Sequence, residues 1–211
     1  MLTRRHSLLL LVPAGLLAMP ALAQNRSGLW FDPTQLPSYS GRLERWIATP
    51  SGAVDRGLFR EGTQFVFASS EAEALMLAIE PGAPICVWGI RARNAAVVLM
   101  LAWGKTDSEP ASFVERPAWF VTHETGRDML QLSGRILCPL LTPRGEGMGV
   151  ILAGGGAIRL SLQGHRELGD MLKAGENIAA EGLGTRRGGL VALDARAIGK
   201  EPGSLQPVAR P

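Results

Sequence analysis

Short stretches of alternating apolar and polar residues, separated by turns that contain Gly or Pro, occupy most of the chain after its N-terminal segment. Leu43, Arg45 and Ile47 alternate along one face of residues 42–49, and residues 63–68 are rich in β-forming side chains such as Phe65 and Val66. This pattern predicts five strands in the first half of the chain, at residues 42–49, 53–60, 63–68, 85–90 and 95–102.

The pattern becomes helical between the third and the fourth of these strands. Ser69 and Ser70 are suited to cap a helix, and Glu71 places negative charge in its first turn, where the helix dipole favours it. The helix is expected to end at Pro81, which is followed by glycine.

The same order of elements returns later in the chain, at an offset of 93 residues, as from Ser40 to Ser133. Most of the matched positions are turn formers, which preserve the points where the backbone bends. The matches are residues 40–42 with 133–135, residues 49–52 with 142–145, Pro81-Gly82 with Ala174-Gly175, Gly89 with Gly182, and, after loss of one residue, Gly57 and Gly62 with Gly149 and Gly154. The second copy has predicted strands at 135–141, 147–152, 157–162, 177–182 and 190–197 and a helix at 165–173.

Three strands, a helix and two further strands form the order of the OB-fold, a five-strand barrel. The sequence therefore predicts a mainly β protein with two tandem OB-fold-like five-strand barrels, at residues 38–105 and 130–200, that pack together. We expect residues 24–37 to be an N-terminal extension, residues 106–129 an interdomain segment with a possible hairpin, and residues 201–211 a flexible tail.

The first 23 residues have the pattern of a cleavable export signal. Arg4 and Arg5 precede an apolar run over residues 8–22, and Ala-Leu-Ala at residues 21–23 predicts cleavage before Gln24. The general secretory route is favoured over the twin-arginine route, because Ser7 stands where the best twin-arginine signals carry Phe. We expect a periplasmic or secreted protein without a stable membrane anchor, since the apolar run is short and interrupted by Pro13.

Cleavage would leave a nearly neutral protein. Removing Arg4 and Arg5 lowers the basic residues from 22 to 20, against 19 acidic residues. A neutral surface has no long-range field that gathers nucleic acid or anionic membrane. Nucleic acid is therefore a disfavoured partner.

The start of the predicted mature chain, residues 29–37 (Leu-Trp-Phe-Asp-Pro-Thr-Gln-Leu-Pro), is followed by Ser40-Gly41-Arg42 and later by Thr-Pro-Ser-Gly at 49–52 and Gly62-Thr63. In these motifs the chain resembles small exported proteobacterial proteins of unassigned function with OB-like domains. The resemblance implies the fold and no particular activity.

The sequence contains none of the common catalytic or metal-binding motifs. It has no His-Glu-x-x-His, no Cys-x-x-Cys and no Gly-x-Ser-x-Gly, and the glycines at 154–156 are expected to form a hairpin turn. We therefore predict a protein that is not an enzyme and that uses neither a metal nor a cofactor.

Two arginine pairs are the candidate ligand contacts. Arg91 and Arg93 follow the fourth predicted strand of the first copy, and Arg186 and Arg187 lie in the corresponding loop of the second copy. That loop borders the usual ligand face of OB-folds. Trp46 and Trp88 are either stacking platforms for a ligand or parts of the core.

Cys86 and Cys138 leave two possibilities open, one disulfide in an oxidising compartment or two thiols that pack as small apolar groups. Taken together, the features favour an exported, non-catalytic binding or accessory protein whose partner is a protein, a glycan or a small anionic ligand. The alternatives are binding of single-stranded nucleic acid or another anionic polymer, and an enzyme or cofactor-dependent protein exported by the twin-arginine route.

Overall fold

Two closed five-strand barrels follow one another in the computed structural model, which describes residues 35–108, 112–114 and 127–208. Barrel 1 consists of β1 (Ser38–Ala48), β2 (Val54–Phe59), β3 (Gln64–Val66), α1 (Ala72–Ala78), β4 (Pro84–Arg91) and β5 (Val97–Gly104), and β6 (Ser112–Phe113) follows it. Barrel 2 consists of β7 (Asp128–Leu141), β8 (Gly147–Leu152), β9 (Ala157–Arg159), α2 (Leu162–Leu168), β10 (Asn177–Arg187) and β11 (Leu190–Gly199), and β12 (Gln206–Pro207) follows it. The predicted fold class is confirmed, including the helix between the third and fourth strands of each barrel.

Both barrels close in the same way. In barrel 1, β1 pairs antiparallel with β2 and with β4, β2 with β3, and β4 with β5, and a parallel pairing of β3 with β5 completes the ring. The corresponding pairings of barrel 2 end in a parallel pairing of β9 with β11. Closure removes the exposed sheet edges that would otherwise invite pairing with other chains.

The Thr-Pro-x-Gly motifs form matching turns between the first two strands of each barrel. The amide of Gly52 donates to the carbonyl of Thr49 over 2.9 Å, and the amide of Gly145 donates to that of Thr142 over 2.8 Å. Both glycines have a positive φ, +87° and +88°, which explains the residue type at this position.

The arginine of each Ser-Gly-Arg motif holds the turn that precedes the fourth strand. Arg42 donates to the carbonyl of Gly82 and Arg135 to that of Gly175, each over 3.1 Å. The repeated arginines thus connect the first strand of each barrel to the connection that follows its helix.

A repeated glycine also marks a bulge in the fourth strand. The register shifts between Trp88 and Gly89 in β4 and at Gly182 in β10. A Cβ atom added at Gly89 would lie 2.0 Å from the carbonyl oxygen of Leu99, and one added at Gly182 would lie 1.8 Å from that of Asp194. Only glycine permits this approach of the two strands in either copy.

The predicted match of Gly57 and Gly62 with Gly149 and Gly154 is wrong by one residue. Gly62 and Gly155 occupy the same turn, donating to Phe59 over 2.9 Å and to Leu152 over 3.0 Å, so no residue is lost there. Gly57 therefore corresponds to Val150. Its lack of a side chain makes room for the ring of Phe65, from which an added Cβ would be only 2.2 Å away.

Each copy continues into a sixth short strand. The first of these, β6, overlaps residues 113–114, which were expected to form the first half of the interdomain hairpin, with residues 118–122 as its second half. The second, β12, was not predicted. Phe113 of β6 pairs with Ala102 of β5, and Pro207 of β12 pairs with Ala197 of β11. The predicted flexible tail is corrected accordingly, because residues 202–207 form a short helix and β12, and Val208 packs against the core of barrel 2. The second half of the proposed interdomain hairpin, residues 118–122, lies outside the described residues.

The predicted signal peptide, the cleavage site before Gln24 and most of the N-terminal extension also lie outside the described residues. Of the helices that the structure describes, none combines the length and the apolar character needed to cross a membrane.

Candidate functional site

The two barrels meet at a buried apolar junction. Ile47 and Leu58 of barrel 1 lie in one cluster with Leu140 and Ile151, their equivalents 93 residues later in barrel 2. Alanines complete the cluster, namely Ala48, Ala157 and Ala192. The junction therefore buries side chains from the first two strands of each barrel.

Two buried polar side chains of barrel 1 hold the backbone of β7. Arg56, of which only 1% is exposed, donates to the carbonyl of Leu141 over 2.6 Å and to Gln64 over 3.2 Å. Gln64 donates to the carbonyl of Pro139 over 2.8 Å and accepts from the amide of Leu141 over 3.2 Å. These bonds give partners to the buried side chains of Arg56 and Gln64.

One carboxylate at the junction lies between two arginines from different barrels. Asp55 accepts from Arg56 over 3.1 Å and from Arg159 of barrel 2 over 2.7 Å. Burial by itself raises the pKa of Asp55, but the charges and hydrogen bonds of Arg56 and Arg159 outweigh burial and lower this pKa below its ordinary value. The carboxylate therefore stays ionised and connects the barrels, which makes it a structural group.

Two reciprocal contacts flank the junction. At the first seam, the turn at residues 142–145 of barrel 2 lies against the β4–β5 turn of barrel 1, where a Cβ on Gly145 would be 2.6 Å from Ala95 and 3.3 Å from Ala92. At the second seam, the turn at residues 49–52 of barrel 1 lies against β10, where a Cβ on Gly52 would be 2.9 Å from the hydroxyl of Thr185. Since Thr185 is the equivalent of Ala92, an approximate twofold axis relates the barrels.

The two seams differ because the hairpin of barrel 2 is longer. Val98 and Leu193 are equivalent, since they pair with Phe65 and Ile158 in the two barrels. Arg91 is the partner of Val98, whereas Gly184 is the partner of Leu193. Beyond that pair, β10 and β11 continue for three more pairs to a tight turn, at Thr185–Ala192, Arg186–Val191 and Arg187–Leu190.

The two predicted arginine pairs are therefore not equivalent in space. Arg91 ends β4 at the first seam, and Arg93 is exposed in the turn that follows. Arg186 and Arg187 are exposed at the tip of the longer hairpin. The sequence matched the loops but could not show that one hairpin extends further than the other.

An open groove of about 790 Å³ lies at the first seam. Residues of both barrels line it, namely Ile90, Arg91, Ala92 and Leu99 from barrel 1 and Thr142, Pro143, Arg144 and Glu146 from barrel 2. Its volume is within the range of small-molecule sites, which often form where two domains meet. Of the predicted ligand contacts, the groove includes Arg91 only.

Sequence reasoning missed Ile90 and Arg144 as groove residues. Arg144 stands in the repeated Thr-Pro-x-Gly turn, where the first copy has Ser51. The available signal was that the two copies of this turn differ here and that the second copy carries a positive charge. The sequence could not show that this turn lies beside the strand end that carries Arg91.

The two candidate tryptophans differ in how deeply they are buried. Trp46 is 5% exposed and meets Phe65 and Phe67 edge to face, with ring centroids 5.9 Å apart in both pairs. Trp88 is half-buried on β4 beside Gly104. Trp46 thus belongs to the core and offers no stacking surface to a ligand.

Both cysteines are free thiols, so the disulfide considered from the sequence is not present. Cys86 is buried on β4 of barrel 1, and Cys138 lies on β7 beside the junction of the barrels. Burial raises the pKa of both thiols, which keeps them protonated and poorly reactive.

The part of the chain that the structure describes contains no cluster of three or more His, Cys, Asp or Glu residues able to hold a metal ion. His123, one of the three histidines, lies outside the described residues.

No protein-family model and no curated protein sequence matches this chain, so its function is inferred from the residues and their geometry.

Proposed function

We propose that this protein is exported and acts as a non-catalytic binding protein that takes a small anionic ligand in the groove at the first seam. The observation that carries the proposal is the composition of that groove, which is lined by Arg91 of barrel 1 and Arg144 of barrel 2 together with apolar side chains. Few polar groups around an apolar surface are typical of ligand sites. The Arg-apolar-small pattern of residues 1–23 supports export.

We further infer that each barrel is an OB-fold. The ring of strands one, two, three, five and four, with a helix between three and four, supports this assignment. The face of strands two and three, which many OB-folds use for polymers, contributes Leu58, Gln64 and Ile151 to the junction. This arrangement favours a small ligand at the seam over a nucleic-acid strand on the sheet.

The proposal is tested by native mass spectrometry of the mature protein, purified without denaturation from the periplasm of cells that express the full chain. We expect a non-covalent adduct of small mass that is lost from the Arg91→Ala/Arg144→Ala variant. The matched control is Arg186→Ala/Arg187→Ala, which removes two exposed arginines away from the groove and should retain the adduct. Absence of any adduct, or equal retention by both variants, would count against a ligand in the groove.

Export is tested separately by the N-terminus of the recovered protein. The sequence predicts a mature chain that begins at Gln24, within a couple of residues. Intact Met1 on protein from the periplasm would contradict cleavage, without bearing on the groove.

A further inference from the structure

The repeat relates the two seams of the molecule, but the second seam has the longer hairpin and different side chains at the equivalent positions. The groove at the first seam carries Arg91, Arg144 and Glu146. The equivalent positions at the second seam are Gly184, Ser51 and Ala53, none of which bears a charge. Barrel packing alone therefore does not require charges at this place, because the second seam packs without them.

The floor of the groove exposes more apolar surface than packing requires. Ile90 is 53% exposed, although most large apolar side chains of the barrels are buried. Leu99 and Pro143 lie beside it in the groove. Removing such an apolar surface from water is favourable, so the groove favours a ligand with an apolar body.

The charges of the groove favour one negative charge on the ligand. Arg91 and Arg144 are both exposed, and among the described residues neither has a hydrogen-bonding or ion-pair partner. Glu146 adds one carboxylate to the lining. Two guanidinium groups and one carboxylate leave a single excess positive charge. Guanidinium groups bind carboxylates with two parallel hydrogen bonds, which fixes the orientation of the ligand.

Resting on the proposed function, we propose that the groove binds an amphiphilic monoanion, a carboxylate carried on an apolar chain or ring. The carboxylate lies between Arg91 and Arg144, and the apolar body covers the exposed side chain of Ile90. Because the two arginines belong to different barrels, the bound ligand bridges the barrels. Glu146 disfavours ligands with a second negative charge.

The test uses isothermal titration of the mature protein with four probes that separate the parts of this chemistry. These probes are 4-phenylbutyrate, its uncharged amide, acetate, and phenyl phosphate as a dianion. We expect 4-phenylbutyrate to bind at least about tenfold more tightly than each of the others, the difference that loss of one charge-assisted contact produces. Amide NMR should place the largest shifts at Ile90, Thr142 and Arg144.

Variants then assign the effect to residues. Arg91→Ala and Arg144→Ala should each weaken 4-phenylbutyrate binding about tenfold, while Arg186→Ala/Arg187→Ala leaves it unchanged. Ile90→Ser should weaken 4-phenylbutyrate but not acetate. Glu146→Gln should strengthen phenyl phosphate more than 4-phenylbutyrate, since it removes the charge that opposes the dianion.

Three results would overturn this inference, provided that the variants retain the amide spectrum of the folded protein. They are equal binding of acid and amide, tighter binding of phenyl phosphate by the unaltered protein, and shifts located away from the groove. A native adduct that is lost with Arg91 and Arg144, together with no binding of 4-phenylbutyrate, would leave the proposed function intact and reject only this ligand class.

Discussion

The interiors of the two barrels are filled at the same positions by different side chains. Barrel 1 packs the aromatic rings of Phe59, Phe65 and Phe67, with centroids 5.0 to 6.0 Å apart along the series. The equivalent core positions of barrel 2, 93 residues later, hold Leu152, Ile158 and Leu160. Burial at these positions therefore follows the place in the barrel, and aromatic or aliphatic side chains can fill the same place.

Where the two cores differ, a larger side chain at one position is matched by a smaller one at the neighbouring position. Gly57 of barrel 1 leaves room for the ring of Phe65, and their equivalents are Val150 and Ile158. Val54 and Ala72 both belong to the core of barrel 1, whereas at the equivalent positions of barrel 2 Gly147 lies against the ring of His165. In each case a larger residue on one element accompanies a smaller one on the other, as close packing requires.

The largest loss of stability is expected from a change at Phe65, which is fully buried. Phe65→Ala should lower the free energy of unfolding by about 3 to 5 kcal/mol, because it leaves a cavity among the rings. The smaller deletion at the equivalent position, Ile158→Val, should cost about 0.5 to 1.5 kcal/mol. Chemical denaturation measures both, and a single transition is expected because the barrels share a buried junction. Two separate transitions would contradict that expectation.

The next effect concerns an ion cluster whose carboxylate comes only from barrel 1, since the equivalent of Asp55 in barrel 2 is Met148. Asp55→Asn should destabilise the protein by about 3 kcal/mol, because it leaves Arg56 and Arg159 without their shared carboxylate. Its control is Asp170→Asn, which removes an exposed pair with Lys173 and should leave the denaturation midpoint unchanged.

The size match between Gly147 and His165 can be tested by introducing the residues that barrel 1 has at these positions, Val54 and Ala72. A Cβ on Gly147 would lie 2.1 Å from the ring of His165. Gly147→Val alone should therefore cost about 2 kcal/mol through overpacking. Adding His165→Ala should recover most of the loss. Failure of the second change to rescue the first would show that the two positions are not coupled in this way.

His165 of barrel 2 should also make the stability of the protein depend on pH. Burial lowers the pKa of His165 below its ordinary value of 6.5, so the unfolded chain binds this proton more readily than the folded chain. Stability should therefore decrease as the pH falls through about 6.5, a window well above the titration of Asp55. Denaturation midpoints between pH 7.5 and pH 5.5 measure the effect. His165→Gln should remove it, and an unchanged slope in that variant would assign the dependence elsewhere.

The smallest effect is expected at the four predicted arginines. Changing Arg91, Arg93, Arg186 and Arg187 to Ala should alter the free energy of unfolding by no more than about 0.5 kcal/mol, because all four side chains are exposed. Thermal denaturation measures this. A loss comparable to that of Phe65→Ala would mean that the hairpin tips contribute to packing.

Most of the barrel architecture could be predicted from the sequence because the repeated residues act locally. The turns at Gly52 and Gly145 need a residue that can adopt a positive φ, so the spacing of these glycines reveals where the turns lie. The short strand β12 escaped prediction, since two residues contain too little pattern to show a period. The match of Gly57 failed for another reason, because that glycine serves the ring of Phe65 and not a turn.

The candidate site depended far less on local pattern. Arg91 was identified because it follows a strand beside a loop that OB-folds use, whereas Arg144 and Ile90 became candidates only through their neighbours. The match of Arg186 and Arg187 with the first pair failed because hairpin length depends on strand pairing, which sequence spacing does not report.

The repeat of one strand order could be derived from the sequence alone, because turn residues act within a few positions of themselves. The tertiary structure decided which strand faces meet, which hairpin extends further, and which of two related seams opens into a groove. These properties depend on contacts between residues such as Ala92 and Gly145, far apart along the chain, whose combined volumes and charges are settled only when the barrels pack.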